Sequence, residues 1–186
     1  MLRAVVSDNE KTSIQSNLSN NHALITADWA QKVLPQAAVE GQSGYFAKSG
    51  MSVHITHVYA KLNDADYHHS FLHVFQSSKQ LSADVSAILR HVLSILDVMG
   101  ITNVYLRSDN AGCYKSSDLI GDLYNISNSS PRIERYIYSE SQAGKGPCDR
   151  TASHMKRKIN EYTESKRNVR DAKEVIEALT LNEPIK

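Results

Sequence analysis

Three aspartates stand where a carboxylate can do chemistry. Asp28 closes the apolar run HALITADW, Asp109 closes ITNVYLRSD, and Asp149 follows the glycine-bearing stretch SQAGKGPC. If the fold gathers them, three anions meet at one point, and repulsion and lost hydration make that unfavourable without a cation. Mg²⁺ suits such a set, being a hard ion held by one or two carboxylates together with substrate phosphate. Two such ions about 3.5–4 Å apart clamp a phosphodiester: one activates water or a 3′-hydroxyl, the other steadies the leaving oxygen. Each acid also has an ordinary explanation. Asp109 with Asn110 suits an Asx-turn, Asp149 the first turn of a helix, and Asp28 the cap of a short helix beyond it.

Which reading holds depends on the elements that carry the acids. Residues 22–29 read as a buried strand, and residues 51–62 and 67–78 as a hairpin across the turn residues NDAD. A short helix is expected around 29–34. The clearest helix is capped by Ser82, carries Val85, Ile88, Leu89, Val92, Leu93, Ile95 and Leu96 on a broad apolar face, and ends near Gly100. A fourth strand (101–109), a helix (116–127) and a fifth strand (132–140) follow; a long helix begins near Cys148, and an amphipathic one spans about 168–181. The order β-β-β-α-β-α-β-α predicts an α/β fold: a mixed five-stranded sheet, antiparallel at first and parallel after, flanked by helices. With strand one beside strand four, the three acids share one edge of the sheet.

The bulk numbers allow this. The chain has 186 residues, 41% hydrophobic and 22% charged, ordinary for a globular domain, and no apolar run reaches membrane-spanning length. No membrane partner is expected. Cys113 and Cys148 make neither a disulfide framework nor a CxxC pair, which points to an intracellular, reducing setting. A net charge of +1 gives no global basic field, although Lys156, Arg157, Lys158, Lys166, Arg167 and Arg170 concentrate charge late in the chain. Glu161, Glu164 and Glu174 are available as helical partners for them. Residues 1–21, polar from Ser7 onward, read as a linker or the tail of an upstream region of a larger protein. Residues 22–165 then form the domain and 166–186 a C-terminal helical extension.

The phrases ITADWAQKVLP, SDNAGCY and SESQAGKGPCDR carry a more specific signal. Together with the element order they resemble the ribonuclease-H-like catalytic core of DDE/D transposases and integrases. The resemblance is to a eukaryotic transposon-derived family with DWAMKFLP-, SDNAGCY- and GKGxCDR-like segments, and it spans roughly residues 22–160. Gln31 and Val33 replace the family's Met and Phe and leave the acid untouched. The resemblance implies metal ligation and catalysis by Asp28, Asp109 and Asp149, Mg²⁺ or Mn²⁺ as cofactor, and a nuclear location.

Other residues take supporting roles in this reading. Glu140 is a candidate fourth acid or an orienter of Lys145 or Arg150, Asn110 a partner for metal-bound water, and Arg150 a contact to the nucleic-acid backbone. The GKG loop (144–146) lacks the spacing of a nucleotide-binding P-loop, but its glycines and Lys145 suit phosphate at a helix N-terminus. His154, about 140° round the helix from Asp149, is not expected on the same face. His54 and His57, three apart on a strand, face opposite ways. The two thiols are expected to be inert, and Trp29 and Tyr114 to belong to the core rather than to stack on bases.

The leading expectation is therefore a metal-dependent nuclease or polynucleotidyl transferase acting on DNA, alone, as a homodimer or within a larger protein. The alternative is a domesticated, non-catalytic module of transposase descent that binds nucleic acid or protein. A 3′–5′ exonuclease is disfavoured because Trp29 and Ala30 follow Asp28, so the D-x-E pattern fails.

Overall fold

In the computed structural model, residues 2–37, 49–77, 79–126, 131–139 and 146–181 are described, with side chains from Asp8 onward. Five strands form one sheet: β1 (His22–Trp29), β2 (Ser52–Leu62), β3 (Ala65–Phe75), β4 (Asn103–Ser108) and β5 (Arg132–Tyr138). Their spatial order is β3-β2-β1-β4-β5. The β1–β2 and β2–β3 pairs are antiparallel, and β1–β4 and β4–β5 are parallel. This is the mixed sheet that the element order predicts. Asn63 and Asp64 make the tight β2–β3 turn with φ of 50° and 60°, which their short polar side chains tolerate.

Six helices accompany the sheet among the described residues: α1 (Leu2–Ser16), α2 (Ser82–Val98), α3 (Gly112–Lys115), α4 (Ser117–Ile126), α5 (Pro147–Glu164) and α6 (Ala172–Thr180). On one face, Val85, Leu89, Val92 and Leu96 of α2 pack with Leu119 and Leu123 of α4 against Ala23, Ile25, Val58 and Leu106. On the other, Met155 and Ile159 of α5 and Val175 and Ala178 of α6 cover Val53 and Ile55. The central strands are covered on both faces, so HALITADW reads as a near-continuous apolar run rather than an alternating one.

Several details differ from the expectations. Residues 29–34 form no helix; Val33 instead bridges Met51, extending the sheet's pairing beyond β1. The start of α2 is capped by Asp84, whose carboxylate accepts from Leu81 N at 3.3 Å, so Ser82 is the first helical residue and not its cap. Gly100 follows the helix at φ 83°, the left-handed conformation glycine adopts without strain. The helix expected at 116–127 is α4, and an unexpected single turn, α3, precedes it, ended by the extended backbone of Ser116.

The largest addition is α1, within the segment read as a tail. Its polar sequence hides a docking face: Asp8 accepts from Arg107 Nη2 and Glu10 from Arg135 Nη1, each at 2.7 Å. Just beyond it, Leu18 is buried with Leu24 and Tyr59. At the other end, Val169 pairs with Gln36 and lies in the α5–α6 core, so the C-terminal residues pack into the fold.

The hydroxyl of Tyr114, fully buried, shares a 2.9 Å hydrogen bond with His54 Nε2, while His54 Nδ1 lies 3.2 Å from Thr56 Oγ1. Burial pushes the His54 imidazole down to about 3, so it is neutral, with one ring nitrogen a donor and the other an acceptor. Tyr114→Phe is expected to destabilise the protein by about 1–3 kcal/mol, because His54 Nε2 then stays buried without a partner. Chemical denaturation of both proteins at neutral pH measures the difference.

Candidate metal site at the sheet edge

Parallel pairing of β1 with β4 aligns Ala27 with Ser108, so the next residues, Asp28 and Asp109, lie side by side where the two strands end. Neighbouring strands run about 4.8 Å apart, which puts two carboxylates in one small region. The third acid arrives through Cys148. Its buried thiol donates to Thr26 O at 3.4 Å and lies 3.8 Å from Ile55 O, fixing the first turn of α5 over β1 and β2. Asp149 is the next residue. Burial, then the Asp28 carboxylate, pushes the Cys148 thiol up to about 12, so it is a packing and anchoring group and not a nucleophile.

The electrostatics record the gathering. Asp28's carboxyl is pushed up from 3.8 to about 6, first by burial, then by Asp109 and then by Asp149. The amide of Trp29 and the Arg107 guanidinium oppose the shift and are outweighed. Like-charge neighbours around a half-buried carboxylate are the situation a divalent cation relieves.

The carboxylates are not drawn tightly together. Among the described residues, no group of three or more His, Cys, Asp or Glu side chains is close enough to hold a metal ion as it stands. Two of the ordinary roles account for this. Asp109 Oδ1 accepts from Ala111 N at 2.9 Å in an Asx-turn, and Asp149 Oδ2 accepts from Gly146 N at 2.9 Å, capping α5. The third ordinary role is excluded: no helix follows Asp28 for it to cap. In donor chemistry the set fits Mg²⁺ or Mn²⁺, with three aspartates supplying only hard oxygen ligands.

A cavity of about 180 Å³ opens beside the acids, lined in part by Asp28, Gln31, Ile55, Asp149, Ser153 and Lys156. A wider groove runs along α5 past Asp149, Arg150, Ser153, His154 and Arg157. His154 therefore borders the same groove as Asp149, contrary to the expectation from helical angle, because an open surface spans more than one helical face. Asn110 is exposed at the bend after Asp109, and Arg150 is exposed at the start of α5. Glu140 and Lys145 lie outside the described residues.

Some of the residues around the site escaped the sequence reading. Arg107, with a side chain only 8% exposed, stands on β4 two residues before Asp109 and acts on Asp28. A charged residue within a short buried strand was the available signal. Tyr136, which shares a 2.9 Å hydrogen bond with Ser108, braces the strand end that carries Asp109 and gave no such signal.

A family model matches residues 10–184. The chain belongs to the DUF8701 family, described as a domain of unknown function. No curated protein matches this member of the family in sequence. In structure it is similar to a chain of the simian T-cell lymphotropic virus intasome in complex with PP2A regulatory subunit B56 gamma, with TM-score 0.56 and 14% identity. That match covers 91% of this chain and 51% of the matched one, so the DUF8701 chain spans about half the length of that relative. It also matches the Mos1 transposase paired-end complex with left transposon end at TM-score 0.44 and 8% identity, covering 96% of this chain and 52% of that one. A second match, to the mariner Mos1 paired-end complex with Mg, has TM-score 0.38 and 13% identity, covering 68% and 41%. The mixed five-stranded sheet and the first of these likenesses give this DUF8701 member a ribonuclease-H-like fold.

Proposed function

We propose that this DUF8701 chain is a metal-dependent polynucleotidyl transferase or nuclease core acting on DNA, with Asp28, Asp109 and Asp149 holding Mg²⁺ or Mn²⁺. The observation that carries the reading is the register that sets Asp28 and Asp109 side by side where β1 and β4 end, with Asp149 at the start of α5 near enough to raise the Asp28 carboxyl. When bound, the metal would supply Lewis-acid activation of a phosphodiester and of the attacking water or 3′-hydroxyl. The chain's own residues do the positioning. Cys148 fixes α5 against β1 and β2, Tyr136 and Ser108 brace the end of β4, and Arg107 offsets part of the negative charge at Asp28. Arg150, His154 and Arg157 line the groove beside Asp149, where a nucleic-acid backbone would run.

A second reading has its own support. Asp109 and Asp149 are each engaged by a backbone amide, as expected of a retained scaffold that binds nucleic acid or protein without catalysis. Titration calorimetry with Mn²⁺ separates the two. Saturable binding that Asp28→Asn weakens at least about tenfold, about 1.4 kcal/mol, supports the metal site; no heat of binding at millimolar Mn²⁺ supports the scaffold.

A further inference from the structure

Beneath α1 lies a second, smaller cavity of about 80 Å³, lined in part by Lys11, Thr26, His57, His68, Pro147 and Arg150. It shares no lining residue with the acid-lined cavity beside Asp28. The floor is a polar row across the sheet. Arg107 on β4 pairs in register with Thr26 on β1, Thr26 with His57 on β2, and His57 with Ser70 on β3. His57 Nδ1 is 2.9 Å from Ser70 Oγ, which in turn meets Thr151 of α5 at 3.2 Å. The row lies where α1 and the start of α5 meet, joined to α1 through Arg107–Asp8 and to α5 through Ser70–Thr151.

The charge in this region is one-sided. The residues lining the cavity include no carboxylate. Lys11 is held below its ordinary value by burial first and then by Arg107, with Asp8 and Cys148 opposing and Arg150 adding to the depression. His57 falls to about 4 through burial, then through His68, Arg150 and Lys11. Arg107 gives Nη2 to Asp8 at 2.7 Å, while its buried Nε has no partner among the described residues. Asp8, half exposed on α1, pairs with Arg107, and Asp66 accepts from Tyr59 of the lining, while Lys11 and Arg150 have no carboxylate beside them in the lining.

We propose that this cavity binds one tetrahedral oxyanion, a phosphate group, held by Lys11 and Arg150, with Arg107 one strand away beside Thr26. A phosphate dianion would relieve the repulsion among the cations and accept charge-assisted hydrogen bonds from ammonium and guanidinium groups. The 18-residue α5 begins at Pro147 in the lining, so its N-terminal dipole favours the same charge. The volume admits a few water molecules or one phosphate-sized group, which suits free phosphate or a terminal phosphate monoester better than a chain running through.

The test uses the full chain in EDTA, so that failure of the proposed metal site does not affect it. Inorganic phosphate, compared with chloride at matched ionic strength, is expected to raise the melting temperature saturably. Lys11→Met should weaken phosphate binding at least about tenfold, while Lys11→Arg retains it. No saturable shift in the unmodified protein, or the same shift in Lys11→Met, overturns the site. Oligonucleotides with a 5′-phosphate or a 5′-hydroxyl identify the source. At least about tenfold tighter binding of the phosphorylated strand, competed by inorganic phosphate, assigns the cavity to a nucleic-acid end. Equal binding of both strands, with the phosphate shift intact, assigns it to free phosphate.

Discussion

Asp109→Asn is expected to abolish metal-dependent phosphodiester cleavage and leave the fold in place. Asparagine keeps the side-chain oxygen that accepts from Ala111 N, so the turn after β4 survives and the loss of stability stays within about 0.5 kcal/mol. It removes the negative charge that a divalent ion needs. A fall of at least about 10³-fold in the cleavage rate, about 4 kcal/mol in the barrier, is the expected size. The measurement is a time course on labelled duplex DNA with Mn²⁺, alongside a melting curve for each protein. Undiminished cleavage by the variant would remove Asp109 from the proposed site. The same loss accompanied by a collapsed melting curve would place the residue in the scaffold instead.

The second large effect is on stability and comes from Asp28. Its carboxyl titrates at about 6 in the folded chain against an ordinary 3.8. A raised carboxyl favours the fold while it is protonated. That contribution is fully present below about pH 3.8, is lost as pH rises through about 6, and leaves an ionised, half-buried group at neutral pH. The difference amounts to about 3 kcal/mol. Asp28→Asn, which cannot ionise, is therefore expected to be more stable than the unmodified protein by about 2–3 kcal/mol at pH 7.5 and about equal to it at pH 4. Buried His54 and half-buried His57, whose imidazoles are depressed to about 3 and about 4, destabilise the fold as pH falls below about 6.5. They do so in both proteins, so they cancel in the difference. Denaturant unfolding at several pH values measures it. A difference independent of pH would contradict the electrostatic origin. Under the proposed function, Mn²⁺ should also close the gap at pH 7.5 by stabilising only the protein that has Asp28.

The legible parts of this fold were those set by local chemistry. Continuous apolar runs announced β1 and β4, alternation announced the β2–β3 hairpin, and the apolar face of α2 was plain from Val85 to Leu96. The adjacency of Asp28 and Asp109 followed from strand order alone, once β1 was placed beside β4. What stayed hidden depends on partners distant in sequence. The polar helix α1 docks through Asp8 and Glu10 to arginines 99 and 125 residues away, which no local pattern reveals. The Val33–Met51 bridge, in place of the expected helix, is likewise a tertiary choice overriding a local one. For Asp109 and Asp149 the sequence offered backbone-amide bonding beside metal binding without choosing between them, and both carboxylates do accept backbone amides.

The cluster formed by Val53, Ile55, Met155, Ile159 and Val175 has a consequence for how the chain is made. One side of the β1–β3 meander stays wet until α5 and α6 have been synthesised, since the side chains that cover it come from residues more than ninety positions later. A nascent polypeptide halted before Pro147 would present a bare, strand-rich surface. Sticking to its neighbours, rather than slow chemistry within the chain, is then the hazard during translation.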